Sequence, residues 1–234
     1  LIGAWCSKLE KVFATDSGKK AKMPYDIPLY KERSIFVAKN KVAKPKVFIP
    51  AFPGTNCEVD SARAFEKAGA NVEMLIVKNL SSNDIEETID EMEKLIAKSQ
   101  MIMLPGGFSG GDEPDGSGKF IATVLRNPRL KAAIDDLLDN REGLMIGICN
   151  GFQALVKLGL LPHGHIKDMS KDDPTLTFNT IGRHLSQMVT TRVSSVKSPW
   201  LANVELGDEH IIPISHGEGR FVAPQEVLDQ LIDN

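Results

Sequence analysis

Short apolar runs alternate with amphipathic segments through much of this chain. Each run is apolar at consecutive positions, which is typical of a strand that is buried on both faces. The segments between the runs carry apolar residues at helical spacing. Four runs predict strands: KVFIP (46–50), VEMLIV (72–77), MIMLPGG (101–107) and GLMIGIC (143–149). We therefore predict an α/β fold with a parallel sheet that has helices on both faces.

The same pattern predicts the helices and a change of character towards the C-terminus. Helices are expected at about residues 58–68, 83–98, 119–125, 130–138 and 151–158. Asn83, followed three residues later by Glu86, is the predicted N-cap of the second helix. After Pro162 the chain becomes rich in short β-type segments, and a last helix is expected at about 224–232. We therefore expect a β-rich C-terminal portion in addition to the parallel sheet.

The first 44 residues differ from the rest of the chain. They lack a sustained period, apart from a short helical candidate around Trp5–Phe13. We interpret residues 1–44 as the tail of a preceding region plus a linker, and residues 45–234 as the main domain. The absence of an initiating Met fits a chain cut from a longer protein.

Composition excludes several classes of protein. The formal net charge is only −3, from 28 Lys and Arg against 31 Asp and Glu, so no nucleic-acid partner is expected. The chain has no run of about 18 apolar residues, and its first residues lack the pattern of a signal peptide, so no membrane partner is expected. Apolar residues make up 42% of the chain, enough for a buried core.

The cysteines and histidines argue against disulfide bonds and against a bound metal ion. Cys6, Cys57 and Cys149 are odd in number, far apart and form no CxxC pair, which disfavours disulfides and zinc. A reducing, cytoplasmic location is therefore expected. Cys57, at the start of a predicted helix, is interpreted as a packing residue rather than a second reactive thiol. His163 and His165 lack a third ligand, so no metal site is predicted.

The sharpest motif is GICNGFQ at residues 147–153, where a predicted strand meets a helix. Cys149 has a glycine two positions away on either side, like the nucleophile of a G-x-S-x-G elbow. The tight turn lifts the central side chain clear of the sheet, and a helix N-terminus favours a thiolate. Cys149 is therefore the candidate nucleophile, and a buried structural cysteine is the alternative.

A second motif, LPGGFSGG (104–111), follows the third predicted strand. Acyl transfer through a cysteine needs amide donors near the oxyanion, and glycines let a backbone approach closely. The amide of Gly107 or Phe108, with that of Asn150, is the predicted oxyanion hole, and a plain glycine-rich turn is the alternative. A phosphate-binding loop is excluded because Phe120 stands where Ser or Thr is needed.

The third motif is SHGEGR (215–220), after the segment HIIPI. A thiol nucleophile needs a base, and the base needs an orienting carboxylate. His-x-Glu in an extended segment puts both side chains on one face. Spacing alone therefore nominates His216 as the base and Glu218 as its partner. The alternative is that this glycine-flanked loop uses its backbone for recognition.

With these motifs the chain resembles the class I glutamine amidotransferases, which carry a cysteine nucleophile on a flavodoxin-like sheet. FPGTNCE, LPGGFSGGD, GICNGFQ and SHGEGRF look like the glutaminase domain of phosphoribosylformylglycinamidine synthase, over about residues 45–223. The resemblance implies that glutamine is hydrolysed through a Cys149 thioester. Ammonia would pass to a synthetase domain of the same polypeptide, which makes formylglycinamidine ribonucleotide in purine biosynthesis. ATP and Mg²⁺ are expected there, and no cofactor in this domain.

The resemblance also implies roles for single residues. Cys149 would be the nucleophile, and Gly107 and Asn150 the oxyanion donors. The residues expected to contact bound glutamine are Ser109, Gln153, His216 and Gly217.

The base is less clear, because the family takes its catalytic His and Glu from a Met-Pro-His-Pro-Glu-Arg segment that is not found in this sequence. The resemblance therefore makes His216 and Glu218 less favoured as base and orienting carboxylate than spacing alone suggested. We expect His216 to lie outside hydrogen-bond reach of the Cys149 sulfur, and this chain alone to turn glutamine over poorly.

Two other functions remain open at this point. A different cysteine-nucleophile α/β hydrolase or a DJ-1-like protein would want an acidic residue beside the elbow. Gln153, four residues after Cys149, favours the glutaminase instead. A catalytically silent module that only docks on a synthetase is the second alternative.

Overall fold

A computed structural model describes residues 28–33, 36–38, 41–111 and 118–233. The helical candidate at Trp5–Phe13, Cys6 and residues 112–117 of the glycine-rich loop lie outside the described residues.

A parallel sheet forms the centre of the fold. Its strands are β1 (Lys46–Ala51), β2 (Asn71–Ile76), β3 (Met101–Leu104) and β4 (Leu144–Gly147). They are ordered β2-β1-β3-β4, and all neighbouring pairs are parallel. Each predicted run overlaps one strand, and the predicted fold class is confirmed. Because the strands run the same way, their C-terminal ends meet at one edge of the sheet.

Helices lie on both faces of this sheet, as predicted. They are α1 (Glu58–Lys67), α2 (Ser82–Lys98), α3 (Lys119–Leu125), α4 (Pro128–Asp135) and α5 (Asn150–Leu158). In β1, Val47 and Ile49 pack in one apolar cluster with Ala62 of α1, whereas Phe48 packs in another with Met92 of α2. Successive side chains of a strand point to opposite faces, so this strand is apolar throughout because both faces are covered.

The predicted N-cap of α2 is wrong. Ser81 precedes the helix in an extended conformation, and its hydroxyl accepts a hydrogen bond from the Asp84 amide at 3.1 Å. Asn83 lies inside the first turn, where its side chain donates to Glu87 at 2.7 Å. The cap falls to Ser81 because a capping side chain must precede the helical backbone to reach the amides of its first turn.

The C-terminal part is rich in short strands, as predicted. The elements are β5 (Thr175–Thr177), β6 (Leu185–Arg192), β7 (Glu209–His216), β8 (Arg220–Val222) and α6 (Gln225–Asp233). Strands β6 and β7 pair antiparallel along their full length, and β5 pairs with β8. No helix in the described part of the chain is both long and apolar enough to cross a membrane.

The chain divides into two compact units. The sheet unit comprises residues 38–176 and 221–234 and contains the parallel sheet. The hairpin unit comprises residues 177–220 and the described residues before position 38. In the hairpin unit, Tyr30 forms a β-bridge with Ser195. The division into a tail (1–44) and an amidotransferase domain (45–234) stays a prediction.

Candidate active site

Cys149 lies at the turn between β4 and α5, at the edge where the parallel strands end. Its backbone has φ 54° and ψ −109°, and a positive φ is uncommon for a residue other than glycine. Such backbone strain is typical of a nucleophile elbow, which projects the central side chain from the sheet. The thiol is exposed, so a substrate can reach it.

Close packing explains the two glycines of the elbow. A methyl group on Gly147 would lie 2.5 Å from the carbonyl of Gly151, and one on Gly151 would overlap the Leu104 carbonyl oxygen. Any side chain would therefore push α5 away from the sheet. The Gln153 amide donates to the Cys149 carbonyl at 3.0 Å and closes the first helical turn. Cys149 thus lies at the amino end of α5, where the helix dipole favours negative charge.

The glycine-rich loop after β3 packs against the turn after β1, backbone to backbone. Gly107 has φ 136°, and a methyl group on it would lie 2.5 Å from the Gly54 carbonyl oxygen. The Asn56 amide donates to the Gly106 carbonyl at 3.3 Å, and the Phe108 amide donates to the Gly54 carbonyl at 2.8 Å. These bonds hold the loop beside the elbow.

The same bonds distinguish the two predicted oxyanion donors of this loop, which are the amides of Gly107 and Phe108. The Phe108 amide is engaged with Gly54, which corrects the expectation that either amide would serve. Gly107 and Thr55 form an antiparallel bridge whose hydrogen bonds come from the flanking residues. In a pair of this kind the facing residues do not bond to each other, so the Gly107 amide lies outside the bridge. Gly107 is therefore the better candidate.

A chain of polar groups joins the loop to the elbow. The Ser109 amide donates to Asn150 Oδ1 at 3.2 Å, and Asn150 Nδ2 donates to Gln153 Oε1, also at 3.2 Å. All three residues are buried, which makes their mutual hydrogen bonds costly to break. The structure thus brings three predicted site residues together, and their contacts with glutamine remain predictions.

The interpretation of Cys57 as a packing residue is wrong. Cys57 is exposed at the N-cap of α1, not packed as expected. A methyl group on Gly106 would lie 3.3 Å from Cys149 Cβ and 3.5 Å from Cys57 Sγ, so both cysteines border one glycine. Partial burial raises the pKa of Cys57, and negative charge on Cys149, Asp60 and Glu58 raises it further. The only signal in the sequence was its place directly after a glycine turn.

The remaining predicted residues belong to the hairpin unit, where Asn179 organises them. Asn179 Oδ1 contacts His216 Nδ1 at 2.9 Å and accepts from the Gly219 amide at 3.2 Å. Its Nδ2 donates to the His216 carbonyl at 2.7 Å, and its backbone amide donates to the Gly217 carbonyl at 2.9 Å. Sequence reasoning missed Asn179, because it lies 37 residues before His216 in the chain.

The contacts of Asn179 argue against the pairing of a His216 base with the Glu218 carboxylate. Nδ1 of His216 is bonded to an amide and not to the Glu218 carboxylate, which is the partner that spacing suggested. The Gly219 amide can only donate, so the Asn179 atom that it shares with His216 is the oxygen. Nδ1 of His216 is therefore the donor in this contact. The position of His216 relative to Cys149 stays a prediction.

Chemically, the sheet unit offers the parts of an acyl-transfer site. These are an exposed thiol on a strained elbow, a helix N-terminus and a glycine-loop amide. Within the residues that the structure describes, no group of three or more His, Cys, Asp or Glu side chains could hold a metal ion.

The chain is similar to known glutamine amidotransferases. A family model, the CobB/CobQ-like glutamine amidotransferase domain, matches residues 44–234. The phosphoribosylformylglycinamidine synthase subunit PurQ of Dehalococcoides mccartyi is 35% identical over 190 residues, which cover 81% of this chain and 68% of that protein. The subunit PurQ of Methanococcus maripaludis strain S2 is 33% identical over 194 residues, covering 81% and 64% respectively.

A solved structure, described as PurLQS from Thermotoga maritima, contains a similar chain. The TM-score is 0.57 at 27% sequence identity, and the match covers 78% of this chain and 71% of that one. The chain spans about two thirds of the length of the curated relatives described above. These relatives are named as subunits, whereas the sequence motifs led us to expect a fused single-chain form. The family match and these identities show that the chain belongs to the CobB/CobQ-like glutamine amidotransferases, as a glutaminase domain of the phosphoribosylformylglycinamidine synthase type.

Proposed function

We propose that this chain hydrolyses glutamine through a thioester on Cys149 and supplies the ammonia for synthesis of formylglycinamidine ribonucleotide. The observation that carries the proposal is the positive φ of Cys149 at a strand-to-helix elbow, directly beside a glycine-rich loop. This geometry serves a nucleophile, whereas a structural cysteine would not need it.

The chemistry follows from the groups at the elbow. The Cys149 sulfur attacks the side-chain amide carbon of glutamine, and the carbonyl oxygen becomes an oxyanion. The amides of Gly107 and Asn150 receive that charge, and each such donor stabilises the transition state by about 3–4 kcal/mol. Collapse breaks the C–N bond, and the nitrogen takes up a proton and leaves as ammonia. Water then hydrolyses the thioester to glutamate.

In this proposal, four residues contact the bound glutamine. Ser109 and Gln153 come from the buried polar chain at the elbow, and His216 and Gly217 from the loop that Asn179 braces. We give His216 a binding role and not the role of general base, because an amide and not a carboxylate orients its ring. A carboxylate is the usual partner of a catalytic histidine.

The acceptor of the ammonia is a synthetase component, which would bind ATP and Mg²⁺. Relatives of this chain are named as subunits of the synthase, and the Thermotoga structure is described as PurLQS. We further propose a cytoplasmic enzyme in which residues 1–44 link the synthetase to an amidotransferase domain at 45–234. The mass of the native polypeptide, measured by immunoblot, distinguishes a fused protein from a separate subunit.

Labelling with 6-diazo-5-oxo-norleucine, an electrophilic glutamine analogue, tests the function. We expect one covalent adduct on the peptide that contains Cys149, and protection by glutamine. Cys149→Ala should abolish the adduct, whereas Cys57→Ala, which removes the neighbouring thiol, should retain it. A DJ-1-like hydrolase or a silent docking module predicts no adduct that glutamine suppresses, and that result would refute the proposal.

A further inference from the structure

Two thiols border the same glycine in the candidate active site. The position of a methyl group on Gly106 is 3.3 Å from Cys149 Cβ and 3.5 Å from Cys57 Sγ. Cys57 Sγ therefore lies no farther from Cys149 Cβ than these two distances together, about 7 Å. In a disulfide the two Cβ atoms lie about 3.5–4.5 Å apart, so the side chains of Cys57 and Cys149 must turn towards each other to join.

Both side chains have room to make that adjustment. Cys57 and Cys149 are exposed, and the Cys57 thiol makes only a long hydrogen bond to its neighbour Asn56, at 3.4 Å. Cys57 precedes the first turn of α1, so rotation of its side chain leaves the helix intact. The loops that carry the thiols are already tied together, since the Asn56 amide donates to the Gly106 carbonyl.

We propose that Cys57 and Cys149 form a peroxide-sensitive pair, in which oxidation joins the catalytic sulfur to Cys57 in a reversible disulfide. The Cys149 thiolate attacks hydrogen peroxide, the O–O bond breaks, hydroxide leaves and Cys149 becomes a sulfenic acid. The Cys57 thiolate then attacks the Cys149 sulfur, the S–S bond forms and the S–O bond breaks. The second hydroxide takes up the Cys57 proton as water.

The charge on Cys149 determines the order of these two steps. Besides partial burial, negative charge on Cys149 raises the pKa of Cys57, so a charged Cys149 favours the thiol form of Cys57. Oxidation converts Cys149 to an uncharged sulfenic acid and removes that contribution. Cys57 then ionises more readily, at the moment when its attack is needed.

The consequence is protection of the nucleophile. The disulfide blocks acylation by glutamine, but thiol reductants reverse it. Without Cys57, the sulfenic acid would proceed to sulfinic acid, which reductants do not restore.

The test uses the full 234-residue chain with Cys6→Ser, so that only two cysteines remain. After treatment with hydrogen peroxide, mass spectrometry should show the loss of two hydrogens and one cross-linked pair of tryptic peptides, 47–63 with 142–157. Labelling by 6-diazo-5-oxo-norleucine should be lost and should return fully with dithiothreitol. In the matched Cys57→Ser variant, peroxide should cause a loss of labelling that dithiothreitol does not reverse.

Dibromobimane, which fluoresces when it bridges two neighbouring thiols, measures proximity independently of oxidation and of glutaminase activity. Bridging together with the peroxide-induced cross-link supports the proposal. The proposal is wrong if no cross-linked peptide forms, or if dithiothreitol restores labelling equally in both proteins. The cross-linked peptide and the dibromobimane bridge are measured on the thiols themselves, so they stand even if glutamine is not the substrate.

Discussion

At the scale of single residues, the elbow joins an unfavourable backbone to an exposed thiol. Cys149 keeps its positive φ because glycines on both sides let α5 lie directly on the sheet. A strained residue of this kind is retained where the surrounding packing overdetermines it. The strain is therefore tied to the packing of Gly147 and Gly151 rather than to Cys149 alone.

The first prediction at this scale concerns the nucleophile. In the intact synthase, Cys149→Ala should abolish glutamine-dependent synthesis and leave synthesis driven by added ammonia unchanged, because only the thioester step needs the sulfur. Parallel assays with glutamine and with ammonium chloride measure both activities. Persistent glutamine hydrolysis by the variant would show that another residue is the nucleophile.

The second prediction concerns a carboxylate away from the site. Asp173 accepts hydrogen bonds from Lys167 Nζ at 2.9 Å and from the Ser170 amide at 2.7 Å, and these hold its pKa well below the usual range. A lowered folded-state pKa gives stability that is present above the unfolded value, about 4, and is lost as the pH falls towards the folded one.

Asp173→Asn should therefore lower the free energy of unfolding at pH 7, and the difference from the unmodified chain should shrink below about pH 4. Urea unfolding across this pH range measures the effect. Asp172→Asn, at the exposed neighbouring position, is the matched control and should change stability little. A difference for Asp173→Asn that is constant with pH would contradict this account.

At the scale of elements, local hydrogen bonds decide where helices start and how loops are held. Ser81 caps α2, so Ser81→Ala should lower the free energy of unfolding by about 1 kcal/mol. Asn83→Ala removes only the side-chain bond to Glu87 within the first turn and should cost less. Urea unfolding of both variants ranks them, and the reverse order would restore Asn83 as the cap.

The Asn179 side chain forms three hydrogen bonds with the loop that carries His216. Asn179→Ala removes the acceptor of the Gly219 amide and the donor to the His216 carbonyl, a loss of about 1–3 kcal/mol. We expect faster hydrogen exchange in residues 216–219, measured by mass spectrometry. The central hairpin around Thr190 is the internal control and should be unchanged. Equal exchange in both proteins at 216–219 would mean that the loop is held by other contacts.

At the scale of the whole molecule, the predicted site residues belong to two compact units. The sheet unit contains Cys149, Gly107 and Asn150, whereas the hairpin unit contains the loop that we assign to glutamine binding. The role of His216 is therefore best tested in the complete enzyme.

His216→Asn in the intact synthase should raise the KM for glutamine and lower kcat less than about tenfold. Loss of a general base would instead lower kcat by about 10²–10⁴-fold. Steady-state kinetics with glutamine separate the two roles, and ammonia-driven synthesis serves as the control. A fall in kcat of that larger size, with KM unchanged, would make His216 the base.

Much of this architecture is determined by the sequence itself. Consecutive apolar positions in KVFIP and MIML specify strands that must be covered on both faces, and the glycines around Cys149 specify the elbow. Such signals are local, because strand burial and backbone sterics act within a few residues. The fold class, the strands and the strand-to-helix junction at the candidate nucleophile therefore follow from local patterns of residues.

The tertiary structure alone decided which loops meet. β1 lies next to β3 in the sheet, so the turn after β1 reaches the loop after β3, engages the Phe108 amide and brings Cys57 to Gly106. Asn179 likewise reaches His216 only because the chain folds back across 37 residues. Contacts of this kind depend on strand order and chain path, which no local pattern of residues contains.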